Sequence, residues 1–356
     1  MQYYSADLLK KLGMRLYYTL GSPNEEAEIL INNLVESSLM GIDSHGIIRL
    51  TQYAVEMQMG HICPGAESRI IKETPISILI DVNHNFGCVG AYRICDVVAN
   101  KASSSGFCIG SSLHCGHVGR LGAFTQYLAE KGFIAFAVSN SCSNGHTVVP
   151  WGGREGRLAT NPLSYAVPAK NHPIVLDMST AMIAEGKIRA LMHEGKPIPE
   201  GCILDKNGLP TTDPKSFYGD SSSKPEGKTL PFGSALGYKG FALGLLVELL
   251  GASFAGVEVR SDGQEDYLNG FTVAALRRDL MTSNTTFDHC LEALCTHITS
   301  CPAAPGYTEV VMPGEYDFRS RETRLANGIP VAEGTIKEWK YFFNLNGIPY
   351  KDILGE

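Results

Sequence analysis

No GxGxxG follows a predicted strand anywhere in the 356 residues, and no GxxxxGK followed by Ser or Thr occurs. The usual dinucleotide fingerprint and the phosphate-binding P-loop are both excluded. None of the ten cysteines (63, 88, 95, 108, 115, 142, 202, 290, 295, 301) falls in a CxxC pair, so they are expected as reduced thiols filling small core positions. There is no basic run, no acidic tail, no internal repeat and no low-complexity linker, and the formal net charge is -7. Neither a nucleic acid nor a membrane surface is expected as a partner. The opening MQYYSADLLKKLG lacks the charged start, apolar stretch and cleavage site of a signal peptide. The longest apolar run, 241–257, carries Glu248, is too short to span a bilayer comfortably and reads as a buried helix. The expectation is a soluble cytoplasmic protein acting on a small molecule.

What is present is the composition of an ordinary globular protein, 44% hydrophobic and 19% charged, with room for two or three subdomains. A helix is predicted to begin with Ser22 as cap, Pro23 in the first position and Glu25 closing a capping box. Its face is Ala27, Leu30, Ile31, Leu34 and Val35, and it should end near Gly41. A further helix is predicted over 44–59, with Ile47, Leu50, Ala54 and Met57 inward. Strands are predicted at 76–81, 107–112 and 132–140, alternating with helices at 91–102 and 121–131. The segment 150–231 is rich in glycine, proline and turn signals, with short strands at 163–167 and 173–178. A helix at 240–250, a strand at 269–276 and helices at 287–300 and 339–348 complete a mixed α/β (α+β) chain.

The stretch GIDSHGIIRL (41–50) carries the most chemistry. Read as a helix capped by Asp43, it places His45 and Arg49 four residues apart on one face, where both can address one small ligand. Arg49 would hold a carboxylate through paired hydrogen bonds, and His45 would exchange a proton with the neighbouring carbonyl or hydroxyl oxygen of a 2-oxo or 2-hydroxy acid. The same spacing also suits a plain solvated helix face. In LHCGHVGR (113–120), Gly116 and Gly119 let the backbone around His117 approach a ligand, though a histidine in a tight turn reads the same way. His114, Cys115 and His117 form only a weak zinc pattern, with no second ligand pair, and no metal is expected. A zinc or thiol hydrolase built on these three is the weaker alternative. Asp177 ends an apolar strand, where a carboxylate either caps a helix or partners a histidine.

With GIDSHGIIRL, six further blocks occur in order: GHVGRLGAFTQYLAEKGFIAFAVSNS, VVPWGGREGRLATNPLSYAVPA, IVLDMST with GKI, LDKNGLPTTDP, LPFGSALGYKGFALGLLVELLGA and VMPGE. Together they cover nearly the whole chain, which resembles the malate/L-lactate dehydrogenase family that lacks a Rossmann domain. Sulfolactate, ureidoglycolate and diketogulonate oxidoreductases and piperideine-2-carboxylate reductases are relatives within it. The resemblance implies an unusual non-Rossmann fold with a discontinuous domain layout, NAD or NADP as cofactor, a small 2-hydroxy or 2-oxo acid as substrate, and a homodimer. Domains are expected at 1–75 with 316–356, at 76–120 with 253–315, and at 121–252, the last holding the cofactor.

By resemblance, His45, His117 and Asp177 are catalytic, while Arg49, Ser44 and Thr160 meet the substrate. Ser141, Asp177, Met178, Ser179, Tyr238, Lys239, Gly314 and Glu315 line the cofactor. Many members carry a histidine where this chain has Tyr238, HVGRLG replaces the commoner HFGAAG, and the turn 142–148 is longer than usual. These departures motivate two alternatives, a nicotinamide-binding relative without activity and a reductase of a cyclic imino acid.

Overall fold

The helical spacing of Ala27, Leu30, Ile31, Leu34 and Val35 forms a helix over Asn24–Leu39, with all five side chains buried. In the computed structural model, which describes residues 1–141, 146–219, 225–258 and 268–355, this helix pairs with Ala6–Thr19. Gly13 makes the close approach possible, because a Cβ there would lie 2.3 Å from the end of Ile31. The start of the second helix differs from expectation. Pro23 is its N-cap and no side chain caps it, since the Ser22 hydroxyl donates to the Pro23 carbonyl instead.

Internal contacts group the chain into two units, each discontinuous in sequence. The first comprises Met1–Phe136, Tyr165–Leu176 and Val273–Glu356, and the second Ala137–Ser164 and Asp177–Thr272. A seven-stranded mixed sheet runs in the order 69–74, 77–81, 107–113, 269–277, 133–141, 163–167, 174–178. In the first unit, Arg69–Thr74 is antiparallel to Ser77–Asp81, which lies parallel to Phe107–Leu113 with Ser77 opposite Ile109 and Asp81 opposite Leu113. A parallel pair needs a crossover, and the helix Gly87–Ser105 supplies it, burying Val89, Ile94, Cys95 and Val98. An antiparallel ribbon of Gln2–Tyr4 with Ile329–Val331 ties the start of the chain to its last helices.

The second unit has a three-stranded sheet and a core of Ile183, Ile188, Ile198, Ile203, Phe217 and Tyr218. Its helix Tyr238–Gly251 corrects one expectation. It turns Gly240, Gly244, Val247, Glu248 and Gly251 inward, while Leu243, Leu245, Leu246 and Leu249 are 36–50% exposed. With leucines on several sides and small residues inward, the apolar run is not a buried core helix. The cysteines also divide: 88, 95, 108, 115 and 202 are buried, whereas 63, 290 and 301 are exposed. Cys142 falls outside the described residues.

Glu248 is buried and accepts hydrogen bonds from Asn140 Nδ2 (2.5 Å) and Asn161 Nδ2 (2.8 Å). Burial pushes its pKa up and the two amides hold it down. Asn140 Oδ1 in turn accepts from the Gly270 amide, and Thr180 Oγ1 donates to the Asn161 carbonyl. One carboxylate thus joins the end of the 133–141 strand, the TNP turn and the segment after 178. Glu248→Ala removes the shared acceptor, and we expect a loss of roughly 2 to 4 kcal/mol in a urea unfolding midpoint experiment.

Candidate active site

Residues 43–49 do not form the single helix expected from their spacing. Two short 3-10 turns, Asp43–His45 and Ile47–Arg49, flank an extended Gly46, and the α-helix begins only at Leu50 and runs to Gln58. The cause is a close approach to the preceding helix. The Ile47 amide donates to Ser38 Oγ at 2.9 Å, and a Cβ on Gly46 would lie 2.1 Å from that oxygen. Asp43 is not a cap, because its carboxylate accepts both arms of the Arg324 guanidinium. The i,i+4 helical argument for His45 and Arg49 therefore fails in its geometry, yet the two side chains still interact across the paired turns.

His117 meets them from the loop after the 107–113 strand. Its ring stacks on His45, with centroids 5.5 Å apart and planes 11° from parallel. That loop is pinned by Gly87, where a Cβ would lie 2.2 Å from the Gly116 carbonyl and 2.5 Å from that of His117. Tyr53, buried on the Leu50–Gln58 helix, lies 2.6 Å from His117 Nδ1 through its hydroxyl. Nothing in the sequence singles out Tyr53, although it stands four residues after Arg49 on a helix that the apolar spacing makes visible. Burial raises its phenol pKa and keeps it protonated. The protonated hydroxyl is placed to donate to Nδ1, which would leave the His117 proton on Nε2.

The electrostatics favour neutral imidazoles. Burial, and then the Arg49 cation, lower the His45 pKa to about 4. The same two causes, with His45 as a third, hold His117 well below the usual histidine range. Ser44 Oγ lies 3.0 Å from His45 Nδ1, and the Ser44 carbonyl accepts from Arg49 Nε at 2.7 Å. The first unit therefore brings together Ser44, His45, Arg49 and His117, together with Tyr53.

Ser141, Thr160, Asp177, Met178, Ser179, Tyr238 and Lys239 belong to the second unit. Ser179 Oγ accepts from the Ala181 amide, and Tyr238, exposed at the start of its helix, packs edge-on to Trp151. Gly314 and Glu315 belong to the first unit. Gly314 has φ +89° and caps the helix Glu315–Asn327, and Glu315 is held by His172 (3.0 Å) and Arg319 (2.8 Å). His114 pairs with Asp81 at 2.9 Å while His117 pairs with Tyr53, so the residues of the weak zinc pattern do not share one centre. Most of the 142–148 turn, residues 142–145, lies outside the described residues.

A guanidinium beside two neutral imidazoles can pair with a small carboxylate and exchange a proton with a neighbouring oxygen. Comparison with known proteins agrees with that chemistry. The family model for malate/L-lactate dehydrogenase matches residues 4–340, and the chain belongs to this family of oxidoreductases. It is 30% identical over 350 residues to the L-sulfolactate dehydrogenase of Methanocaldococcus jannaschii, covering 97% of each chain. It is 31% identical to the malate dehydrogenase of Pyrococcus horikoshii, over 93% of this chain and 92% of that one. The solved structure of the M. jannaschii sulfolactate dehydrogenase aligns with a TM-score of 0.89 at 29% identity, over 99% of each chain. The fold is the mixed α/β fold of these malate/lactate dehydrogenase-like structures.

A lowered histidine pKa has a defined effect on stability. Above pH 6.5 His45 is neutral in both folded and unfolded chains, but between 6.5 and about 4 only the unfolded chain takes up the proton. Acidification through this window destabilises the fold. Urea midpoints should fall between pH 7 and pH 4.5, and His45→Gln should flatten that slope, leaving the share that belongs to His117.

Proposed function

We propose that the chain transfers a hydride between NAD or NADP and a small 2-hydroxy or 2-oxo acid, of the malate, lactate or sulfolactate kind. The observation that carries this reading is the neutral, stacked His45–His117 pair beside Arg49. Dehydrogenases of 2-hydroxy acids among the relatives support it. Arg49 binds the substrate carboxylate through its outer N–H groups. Ser44, next to His45, is a further substrate contact in the first unit. The proton is exchanged at the imidazole pair of His45 and His117: a neutral ring takes the hydroxyl proton when the 2-hydroxy acid is oxidised, and the imidazolium so formed returns it when the 2-oxo acid is reduced. Asp177 is proposed as a charge partner for this chemistry.

The bound nicotinamide supplies or receives the hydride, and the residues that would hold the cofactor are Ser141, Asp177, Met178, Ser179, Tyr238 and Lys239, with Gly314 and Glu315. The second unit fits an anionic pyrophosphate. Lys239 is an exposed cation in the first turn of the Tyr238–Gly251 helix, whose N-terminal end carries positive partial charge. The turn before it is drawn so tight that a Cβ on Gly240 would sit 2.1 Å from the Phe232 carbonyl. The exposed leucines of that helix are covered, in this reading, by a second copy of the chain in a homodimer.

Loss of nicotinamide absorbance with NADH or NADPH and oxaloacetate, pyruvate or sulfopyruvate should show turnover of at least one acid. His45→Ala and His117→Ala should each lower kcat by about 10²-fold or more, whereas Arg49→Ala should mainly raise KM for the acid. Wild-type kcat in both histidine variants would remove the acid–base assignment. In sedimentation, Leu246→Asp should shift the protein from dimer to monomer, and an unchanged dimer would place the interface elsewhere.

A further inference from the structure

Arg49 can take a planar carboxylate only if its guanidinium is turned the right way, and two residues beyond the imidazole cluster bear on that orientation. The guanidinium has five N–H donors. One, on Nε, goes to the Ser44 carbonyl at 2.7 Å, and one, on an outer nitrogen, goes to Gln52 Oε1. Among the described residues no acceptor takes the remaining three, two on one outer nitrogen and one on the other. A carboxylate that accepts two parallel bonds needs two of those three, one from each outer nitrogen.

Gln52 is itself committed. Its Nε2 donates to Glu56 Oε1 at 2.8 Å, which fixes the amide so that Oε1 is the atom presented to Arg49. Glu56 is buried, with its pKa raised by burial and lowered by the Gln52 amide and then by the Arg49 cation. Arg49, Gln52 and Glu56 stand at i, i+3 and i+7, one stripe along the start and body of the Leu50–Gln58 helix. A long, flexible arginine otherwise loses considerable side-chain freedom when it binds a ligand, and a fixed side chain loses less.

We propose that Gln52 and Glu56 are positioning residues that aim the free edge of Arg49 at the substrate carboxylate, acting through hydrogen bonds and without touching the substrate. This rests on the reading of Arg49 as the carboxylate-binding residue. The glutamine is the necessary link because it both accepts from the guanidinium and donates to the buried acid. Leucine in its place can do neither. Glu56 matters as an acceptor, so glutamine at position 56, which keeps an Oε1, preserves the link, and leucine there breaks it.

The test uses the full-length protein, with melting profiles to establish that each variant is folded, and measures kcat and KM for the acid and KM for the cofactor. Gln52→Leu and Glu56→Leu should raise acid KM about tenfold with kcat and cofactor KM within about twofold, and the conservative Glu56→Gln should restore an acid KM close to that of the wild type. A general packing defect at Glu56 would not be relieved selectively in acid KM by that one change. Arg49→Ala is measured alongside. If Arg49→Ala raises acid KM and Gln52→Leu does not, the positioning role is overturned while the reading of Arg49 stands. If Arg49→Ala leaves acid KM unchanged, both fall. Should Glu56→Leu fail to fold, Gln52→Leu, at a partly exposed position, still decides between these outcomes.

Discussion

Two imidazoles stacked 5.5 Å apart beside a guanidinium cannot easily accept an added proton. Any proton taken up by His45 or His117 would create a second cation next to Arg49 in a partly desolvated site, and both pKa values fall accordingly. Much of the first unit's local architecture holds this unfavourable arrangement in place. Ser38 fixes the Ile47 amide, Arg324 clamps Asp43, Gly87 packs on the His117 loop, and Tyr53 occupies His117 Nδ1.

The same constraint explains why residues 43–49 are not α-helical. A regular helix from Ser44 would require Gly46 to continue the turn, but its contact with Ser38 draws the backbone into an extended conformation and splits the segment into two short turns. Spacing of four residues brings His45 and Arg49 near each other, but through two 3-10 turns and not through one helix face. The sequence shows His45 and Arg49 as a pair through their four-residue spacing. It does not show Ser38 beneath them, since that contact depends on how the preceding helix is packed.

Legibility elsewhere follows the same division. Periodic apolar faces such as Ala27 to Val35, and short apolar strands such as 163–167, were readable because burial imposes a period on the chain. Residues that act through a partner distant in sequence were not. Tyr53 looks like one more aromatic on a helix until His117, from another loop, is beside it. Glu248 looks like an interruption in an apolar run until Asn140 and Asn161 are seen to donate to it. The leucine-rich helix was misread for a related reason. A run of apolar residues shows that a segment avoids water, but not which neighbour covers it, and here the glycines face the rest of the unit while the leucines do not.

Two buried carboxylates, Glu56 and Glu248, show how each unit places polar groups away from its candidate ligand contacts. Each is pushed by burial toward the neutral form and drawn back by amide donors, Gln52 for the first and Asn140 with Asn161 for the second. An apolar side chain of similar size would avoid the cost of desolvation. What it could not do is impose direction, because apolar contact is largely indifferent to rotation whereas an amide between two committed partners has one workable orientation. In the first unit that direction reaches Arg49. In the second it reaches the backbone next to Ser141 and Thr160. Both carboxylates therefore fix the orientation of the amides beside them, which an apolar side chain of similar size would not do.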